Sequence, residues 1–447
     1  MMKILIKQVK IIDPSQNFDF IGDILIDNNI FIETNPSIKN IDSNTKVIDG
    51  KNFIATPGFV DIHSHLREPG FENKETIETG SQAAIKGGFT TICSMPNTEP
   101  IQDDPDIIKN TLKIKNSSNI DIHPIAAVSK KQEGKQIVDM KSLKNAGAVL
   151  FSDDGNPVQN DEIMLEALKN SKELDLRISN HCENLDISSN GVMHQGHLSW
   201  KLGLTGISTE EETTMLKRDL EFAKKTKGKL HVAHVSCAKS VQLIKKAKKD
   251  GIDVTAEVSP HHLVLDEEII LGNNRINQSL NKFAYNTFAK VYPPIRSKED
   301  RIALVEGLNT HVIDCIATDH APHEIESKET TFNEASRGIA VFETALGSLF
   351  KLVLSNEISL YRIIEALTIS PVHVIGEKFK SYGTLSNGTS ADLVLINPSH
   401  EWIVNSDKFL SKGKNTPFNN MSLKGIIEKT IVKGNIVYER GKDKNVR

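Results

Sequence analysis

Eight short apolar segments alternate with amphipathic stretches through the middle of the chain, and no other feature constrains the fold as strongly. Uninterrupted apolar runs separated by stretches of helix length are typical of parallel strands that helices cover on both faces. Eight such units across roughly 310 residues predict an α/β fold, a (β/α)8 barrel of the TIM type, with a doubly wound open sheet as the structural alternative. The predicted strands are Val60–His63, Thr90–Met95, Ile122–Val128, Ala148–Asp153, Arg177–His181, Leu230–Val235, Val254–Val258 and Cys315–Thr318.

Two of the amphipathic stretches have clear helix boundaries. The stretch Glu210–Lys225 follows the capping-type residue Ser208 and has Glu211 three residues after it, a spacing that predicts a capping box. The stretch Lys239–Asp250 has apolar residues at helical spacing and stops at Gly251. Both stretches are therefore predicted to be helices between consecutive strands.

The two ends of the chain differ from its middle. They contain short strand candidates separated by Asn, Asp, Gly and Pro turns, and the last turn is Gly434-Asn435. Strand-rich ends around a different middle predict one small β-sandwich domain, composed of residues 1–57 and 379–447. The barrel is then predicted over residues 58–378.

Composition and charge exclude several classes of partner. The formal net charge of −4 provides no broad basic field for nucleic acid or for an anionic membrane. No run of about 18 apolar residues occurs, and the amino terminus reads as a first strand and not as a signal peptide. The cysteines stand singly in or just after apolar segments, which predicts buried, reduced thiols in a cytoplasmic protein: Cys93, Cys182, Cys237 and Cys315.

The fragment from Asp61 to Gly70 contains the clearest chemical signal. His63 and His65 stand two residues apart, so in an extended strand both imidazoles point to the same side. Two imidazoles at one strand end make a pair of metal ligands, and Arg67 beside them suits a carboxylate. The fragment predicts a metal-assisted hydrolase that acts on an acidic small molecule.

Other residues that can bind metals also fall at the ends of predicted strands. Parallel strands in a barrel bring all these ends to one face, where barrel active sites lie. Four histidines with carboxylates from two strands suffice for two divalent ions with open positions for water. Taken singly, Asp153-Asp154-Gly155 would be a turn and Asp319 a helix cap. The strand-end residues are His63, His65, Asp153, Asp154, His181, His234 and Asp319.

Seven motifs along the chain belong together. They are Ile62-His63-Ser64-His65-Leu66-Arg67-Glu68-Pro69-Gly70, Met95-Pro96-Asn97-Thr98, Phe151-Ser152-Asp153-Asp154-Gly155, His181-Cys182-Glu183, His234-Val235-Ser236, Val258-Ser259-Pro260-His261-His262-Leu263 and Ala317-Thr318-Asp319-His320-Ala321-Pro322-His323. As a set they resemble dihydroorotase, in its bacterial long form within the amidohydrolase superfamily. The paired histidines alone mark only the superfamily, whereas the Leu-Arg-Glu-Pro-Gly continuation is more specific.

The resemblance implies a set of metal ligands. It assigns His63, His65 and Asp319 to one zinc ion and His181 and His234 to a second. It implies that Asp154 and a hydroxide bridge the two ions, where several sister families use a carboxylated lysine. We choose Asp154 over Asp153 because the motif aligns there with the spacing to His181.

The resemblance also implies the reaction, which is the reversible hydrolysis of (S)-dihydroorotate to N-carbamoyl-L-aspartate in pyrimidine (UMP) biosynthesis. Asp319 would be the catalytic proton carrier, acting as general base and then as general acid. Residues 324–337 would form a loop that closes over the substrate. The substrate contacts implied are His65, Arg67, Asn97, His323, Arg337 and Gly338.

One position departs from the family pattern. The family usually has an asparagine before Pro293-Pro294-Ile295-Arg296, and this chain has Tyr292. A longer segment, Asn273 to Lys290, precedes it. Tyrosine can donate a hydrogen bond but is larger than asparagine, so either the local backbone shifts or another group contacts the substrate.

Two alternative functions are weaker. A hydantoinase or allantoinase would lack the Arg67 carboxylate clamp and use a carboxylated lysine in place of Asp154. A metal-free subunit that supports aspartate transcarbamoylase would have lost ligands, whereas all six are present here. Association with that transcarbamoylase and a homodimeric state are expectations that the resemblance alone supplies.

Overall fold

The structure is a computed structural model and describes residues 3–39, 42–114, 118–275 and 285–442. Strands and helices alternate through the middle of these residues, and strands dominate both ends. The strands are β1 Ile4–Asp13, β2 Phe18–Asp27, β3 Ile30–Asn35, β4 Lys46–Asp49, β5 Ile54–Pro57, β6 Phe59–Ser64, β7 Phe89–Ser94, β8 Asp121–Pro124, β9 Ile178–Asn180, β10 Met193–His194, β11 Gly206–Ile207, β12 Leu230–Val232, β13 Val254–Val258, β14 Cys315–Ile316, β15 Leu393–Ile403, β16 Ser422–Val432 and β17 Asn435–Glu439. The α-helices are α1 Ile77–Lys86, α2 Pro105–Ile114, α3 Met140–Ala146, α4 Asp161–Leu174, α5 Leu185–Ser188, α6 His197–Leu202, α7 Glu210–Thr226, α8 Ala238–Lys249, α9 Pro260–Val264, α10 Lys298–Asn309, α11 Ala345–Leu354, α12 Leu360–Leu367 and α13 Ile369–Ile375.

Strands from both chain ends share one sheet. Its order is β17-β16-β15-β5-β1-β2-β3, with β4 paired to β1. The two ends of the chain meet where β5 runs antiparallel to β15 and Ala55 pairs with Leu395. Apolar side chains from both ends pack into one cluster that includes Ile6, Ile24 and Leu393. Strands from both ends of the chain therefore contribute to one sheet and one apolar cluster.

The strands of the middle are parallel; β10 pairs with β11, and the others form two larger sheets. One has the order β6-β7-β8 and the other the order β14-β13-β12-β9. Seven of the eight predicted segments contain one of these strands, and helices follow them as expected. The fold is therefore α/β. The carboxyl ends of the strands lie on one side, because all of them run in the same direction.

The fourth predicted segment, 148–153, is the exception to the strand prediction. Within this segment only Phe151 forms β-bridges, which are isolated and parallel and pair it with Ala126 and Ile178. Its backbone still bonds to both sides, because Ser152 N donates to Ala126 O at 2.9 Å and Ser179 N to Phe151 O at 2.8 Å. The segment thus occupies the position between β8 and β9 without forming a regular strand.

The other edge of the β6 sheet meets the segment that follows β14. Ser64 forms an isolated parallel bridge with His320, and Asp319 N donates to His63 O at 2.9 Å. The buried carboxylate of Asp61 accepts from the backbone N–H and the hydroxyl of Thr318, each at 2.7 Å. These bonds hold the motif that contains His63 beside the motif that contains Asp319.

The start of α7 differs from the predicted capping box. Thr209 is the residue before the helix and makes no capping side-chain bond, while Ser208 Oγ accepts from Glu210 N at 3.2 Å. The acid predicted to close the box, Glu211, instead forms a buried ion pair with Arg296 at 2.7 Å. A buried guanidinium needs an anionic partner more than a helix end needs a second cap.

Two predictions from composition agree with the structure. All four cysteines are buried and free. Among the described residues, no helix is both long enough and apolar enough to cross a bilayer.

Candidate metal centre and substrate cavity

The two histidines of the first motif lie at the carboxyl end of β6 and point to the same carboxylates. His63 Nε2 lies 3.6 Å from Asp154 Oδ1 and 3.6 Å from Asp319 Oδ1. His65 Nε2 lies 3.4 Å from Asp154 Oδ2 and 3.4 Å from Asp319 Oδ1. All four side chains are buried. The strand therefore presents the two imidazoles to one shared centre, as alternate residues of a strand can.

Asp154 lies among four imidazoles. Its Oδ1 is 3.5 Å from His181 Nδ1 and 3.3 Å from His234 Nε2, in addition to the contacts with the β6 histidines. Burial alone would raise its pKa, but the imidazoles around it hold the pKa of Asp154 well below the usual value. Asp153 points elsewhere, and its carboxylate accepts from Val128 N at 2.8 Å. The structure thus brings Asp154, and not Asp153, to the cluster.

Irregular backbone aims two of the cluster side chains, those of His234 and Asp319. His181 follows β9, and His234 follows β12 with a positive φ of 29°. Asp319 follows β14 with a φ of 48°. The ring nitrogens His181 Nδ1 and His234 Nε2 are 2.9 Å apart. Positive φ at residues other than glycine is uncommon and recurs at functional sites, so the strand ends here bend to gather the cluster.

Asp319 has the charge state that a proton acceptor needs. Burial opposes its ionisation, but the hydrogen bond from His65 and the nearby imidazoles lower the pKa of Asp319 to about 2. Its backbone is fixed by the bond to the β6 carbonyl described above. The carboxylate is therefore held ionised next to His63 and His65.

A carboxylate outside the sequence motifs holds two of the cluster histidines in place. Glu257, in β13, accepts from His63 Nδ1 at 2.5 Å and from His231 Nε2 at 3.0 Å. It also accepts from the backbone N–H of His234 at 3.4 Å. Burial opposes its charge, yet the charge on His63 and the bond from His231 hold the pKa of Glu257 well below normal. No sequence motif marks this glutamate, because it lies inside a predicted strand.

The other two support contacts come from motif residues. Asn97 Oδ1 lies 2.9 Å from His65 Nδ1, and Glu183 Oε2 lies 3.2 Å from His181 Nε2. An amide oxygen and a carboxylate both accept, so each fixes the proton on the ring nitrogen that faces away from the cluster. In the neutral form of each ring, the opposite nitrogen has the lone pair with which it could bind a metal at the shared centre.

These residues fit a metal. His63 Nε2 is buried and has no hydrogen-bond partner among the described residues, although it faces two carboxylates. Donor atoms of His63, His65 and Asp319 all lie within 4.8 Å of one another, and so do those of His63, Asp154 and His234. Imidazole nitrogens with carboxylate oxygens are the ligand set of zinc and similar divalent ions. The cluster therefore has the donor set that a divalent metal ion needs.

The substrate contacts predicted from the sequence line one cavity of about 230 Å³ beside the cluster. Arg67 has a positive φ of 63° that turns its side chain toward this cavity. Its Nε is buried and has no partner in the described part of the chain. Burial lowers the pKa of Arg67 to about 10, against the attraction of Asp319 and Asp154, so the guanidinium remains charged at neutral pH. A buried guanidinium with a free N–H is suited to bind an anion.

The far wall of the cavity is formed by His323 and the residues that end the 324–337 loop. His323 Nε2 lies 2.9 Å from the carbonyl oxygen of Arg337 and 3.4 Å from Arg67 Nη2. Burial and the Arg67 charge lower the pKa of His323 to about 2, so this ring is neutral. At Gly338, with a φ of 149°, an added Cβ would lie 2.6 Å from Ala321 O, so only glycine fits there.

The backbone groups expected to touch the substrate are already bonded within the protein. Gly338 N donates to Lys290 O at 3.0 Å, and Gly338 O accepts from Asn415 Nδ2 at 3.0 Å. The Arg337 carbonyl accepts from His323, as described above. Neighbouring segments thus use these backbone groups to fix the end of the loop.

Tyr292 lines the same cavity. Its ring stacks on His181 with a centroid distance of 5.4 Å and an interplanar angle of 25°. The family asparagine expected at this position is thus replaced by a ring that contacts the metal cluster. Of the longer segment 273–290 before it, residues 276–284 lie outside the described residues.

The comparisons with known proteins agree with this site. The sequence model of the family described as "Dihydro-orotase-like" matches residues 52–240. A dihydroorotase of Syntrophus aciditrophicus is 42% identical over 439 residues, which cover 98% of this chain and 100% of the relative. A dihydroorotase of Acetivibrio thermocellus is 40% identical over 435 residues, covering 97% and 98%. The chain belongs to the dihydroorotase family.

Solved structures place this dihydroorotase family member beside other cyclic amide hydrolases. The L-hydantoinase (dihydropyrimidinase) of Arthrobacter aurescens aligns with a TM-score of 0.84 and 25% identity, covering 99% of this chain and 97% of the hydantoinase. The sequence identity to the dihydroorotases is much higher than to this hydantoinase. The resemblance drawn from the motifs is confirmed at the level of the family.

Proposed function

We propose that this chain is a dihydroorotase that reversibly hydrolyses (S)-dihydroorotate to N-carbamoyl-L-aspartate in pyrimidine synthesis. The substrate has a carboxylate and a cyclic amide, so its enzyme needs an anion-binding group close to a hydrolytic centre. The observation that supports the proposal most is that Arg67 lines the same cavity as the cluster of four imidazoles and two carboxylates. The dihydroorotase names of the relatives agree with this chemistry.

We assign two zinc ions to the cluster. His63, His65 and Asp319 would hold one and His181 and His234 the other, with Asp154 between them. The distances of Asp154 to all four imidazoles support a position for it between the two ions. When bound, a pair of divalent ions lowers the pKa of water and polarises the carbonyl of the amide.

Asp319 is the proposed proton carrier. Its ionised carboxylate accepts a proton from the attacking water and delivers it to the ring nitrogen that leaves. Ring closure runs the same path backwards and starts from the protonated acid. Opening should therefore be favoured at higher pH than closure. The low pKa of Asp319 supports the ionised starting state for ring opening.

We propose that Arg67, Asn97 and His323 bind the substrate carboxylate, with His65 beside it and the 337–338 segment against the ring. Arg67 has a free N–H in the cavity, and His323 lines the same cavity with its Nε2 3.4 Å from Arg67 Nη2. Asn97 gives its carbonyl oxygen to His65, so its amide N–H₂ remains available for an anion.

We also propose the finer architecture that this chemistry needs. The middle, 58–378, would be a closed (β/α)8 barrel, with residues 1–57 and 379–447 as a β-sandwich. The bridges of Phe151 to both neighbours and of Ser64 to His320 support closure, since they fill the two gaps between the parallel sheets. A homodimer, contact with aspartate transcarbamoylase and a cytoplasmic location remain predictions from the resemblance.

The test is an absorbance assay of dihydroorotate consumption by metal-analysed protein, with hydantoin and allantoin as alternative substrates. We expect turnover of dihydroorotate alone. Arg67→Met should raise KM for dihydroorotate at least tenfold while the metal content stays unchanged, and Arg440→Met, on the terminal sheet, should behave as wild type. Preference for hydantoin, or an unchanged KM in Arg67→Met, would overturn the proposal.

A further inference from the structure

Tyr292 joins the metal cluster to the rim of the cavity. One side of its ring packs against His181, as described above. The guanidinium carbon of Arg337 lies 4.5 Å from the centroid of the same ring. An aromatic ring attracts cations to its faces, and arginine stacks on such rings readily. Tyr292 is therefore in contact both with a metal-cluster imidazole and with a guanidinium at the cavity wall.

The side chain of Arg337 spans the mouth of the cavity. It is exposed, lines the cavity, and donates from Nη2 to Gly191 O at 3.2 Å. Its own carbonyl is bonded to His323, and the next N–H, at Gly338, is bonded to Lys290. The guanidinium has five N–H donors. It is thus the group of the 337–338 segment that retains donors for a ligand.

The ring of Tyr292, and not its hydroxyl, makes this arrangement. The hydroxyl oxygen is buried on the side of Glu183 and Ser188, with no surface open to the cavity. A substrate in the cavity therefore meets the ring and the guanidinium stacked on it. This position is the one where the family pattern has a hydrogen-bonding asparagine.

We propose that Tyr292 is a positioning residue that holds the Arg337 guanidinium where it donates hydrogen bonds to a carbonyl oxygen of the cyclic amide substrate. The stack on His181 fixes the ring, and the ring fixes the arginine. In this chain a guanidinium on an aromatic support replaces the amide donor that the family pattern has at residue 292. The inference rests on the proposed dihydroorotase function.

The test compares four variants on protein of measured metal content: Tyr292→Phe, Tyr292→Leu, Arg337→Met and the Tyr292→Leu/Arg337→Met double variant. Tyr292→Phe keeps the ring and should restore wild-type kinetics. Tyr292→Leu and Arg337→Met should each raise KM for dihydroorotate about tenfold and change kcat less than threefold. The double variant should be no worse than Arg337→Met, because both changes remove one interaction. Calorimetric binding of N-carbamoyl-L-aspartate should weaken by the same factor.

Three outcomes would overturn the inference. They are multiplicative losses in the double variant, a Tyr292→Phe variant as impaired as Tyr292→Leu, and a loss confined to kcat or to metal content. Wild-type protein is measured in the same series, so inactivity of the wild type on dihydroorotate would count against the proposed function. Active wild type with an unchanged KM in Tyr292→Leu would count against the stack alone.

Discussion

Asp154 and Asp319 are two buried carboxylates that share a small volume with four imidazoles. Buried charges persist only when they are paired or bound to a metal. Burial opposes protonation of His181, but Asp154 and Glu183 raise the pKa of its ring to about 10, so this imidazolium balances part of the negative charge. Divalent ions provide the same compensation when they bind, while the ring protons leave.

Asp319 has a role that can be separated from this charge balance. Asp319→Ala removes the proton carrier, and we expect kcat to fall by about 10²–10⁴ in ring opening. His181, His234 and Asp154 remain, so at least one metal equivalent should stay bound. The measurement is kcat together with metal content, and Asp319→Asn, of equal size but without basicity, should lose as much activity. Turnover within tenfold of wild type in both variants would contradict the assignment.

The sequence predicts the cluster residues at the ends of strands better than the buried residues that hydrogen-bond to them. His63, His181 and Asp319 each end an apolar run, so their placement at one face follows from topology alone. Glu257 lies within such a run, in Val254–Val258, where a carboxylate has no sequence signal. Its partners, His63 and His231, lie 194 and 26 positions away in the sequence. Only the three-dimensional pairing of β13 beside β12 reveals this support.

Among the elements, α7 is anchored at its first turn by a buried ion pair. Arg296 donates to Glu211 Oε1, to Ser236 Oγ at 3.0 Å and to Ile207 O at 2.7 Å. Ser236 stands two residues after His234. The pair therefore ties a helix start to the strand end that carries a proposed metal ligand.

Removal of one partner of this pair should be costly. Glu211→Ala leaves the Arg296 guanidinium buried and unpaired, and we expect a loss of about 3–5 kcal/mol in the free energy of unfolding. Glu211→Gln keeps an acceptor and should lose less. Urea denaturation of metal-loaded protein measures both, with Asp106→Ala in the exposed pair with Lys109 as a control that leaves the midpoint unchanged. Equal effects of the buried and exposed changes would refute this account.

The 324–337 loop has an anchor of a different kind. The buried ammonium of Lys328 donates to the carbonyl oxygens of Lys290 at 2.9 Å, Ser336 at 2.7 Å and Gly338 at 3.1 Å. Burial and the neighbouring Lys290 charge lower the pKa of Lys328 from 10.5 to about 7. The loop end is thus held to the segment before Tyr292 by one side chain.

Lys328 should make stability depend on pH. Between pH 7 and 10.5 the unfolded lysine binds a proton that the folded one lacks, so the free energy of unfolding rises with pH across this window, by at most about 1.4 kcal/mol per unit. Below pH 7 both states are protonated and the dependence ends. Lys328→Met should remove this slope, measured as wild type minus variant from pH 7 to 9.5, whereas Lys351→Met on the exposed face of α11 should retain it. A parallel pH dependence in wild type and Lys328→Met would disprove the assignment.

Helix α7 and segment 148–153 mark the limit of prediction from sequence. The extent of α7 is close to that predicted, because apolar spacing fixes it, but its cap is not, because Glu211 bonds to a residue 85 positions away. The segment 148–153 has a strand-like apolar run, yet only its residue Phe151 forms β-bridges. Long-range hydrogen bonds decide such details, and a local pattern contains no information about them.

Two features of the whole molecule bring together residues that are far apart in the sequence. The terminal sheet joins residues near both ends through the β5–β15 pairing, and the metal cluster joins residues from 63 to 319. The shared terminal sheet was predicted because both ends of the chain contain short strand candidates separated by turns. The approach of the cluster residues was predicted from the expected barrel topology, in which the carboxyl ends of the strands lie together. An ion bound in the cluster would therefore act as a cross-link between segments that separate on unfolding.

This cross-link makes metal removal a test of stability as well as of activity. An ion present at a thousandfold its Kd stabilises the folded state by about 4 kcal/mol. With an unfolding entropy near 2.1 cal/mol/K per residue, that corresponds to a Tm change of about 4 °C per ion for a chain of this length. We expect a chelator to lower Tm by about 4–9 °C and abolish activity, and added zinc to restore both. The His63→Ala/His234→Ala variant should start at the lower Tm and be insensitive to chelator. A chelated protein with unchanged Tm, or a variant that still responds to chelator, would show that no ion joins these segments.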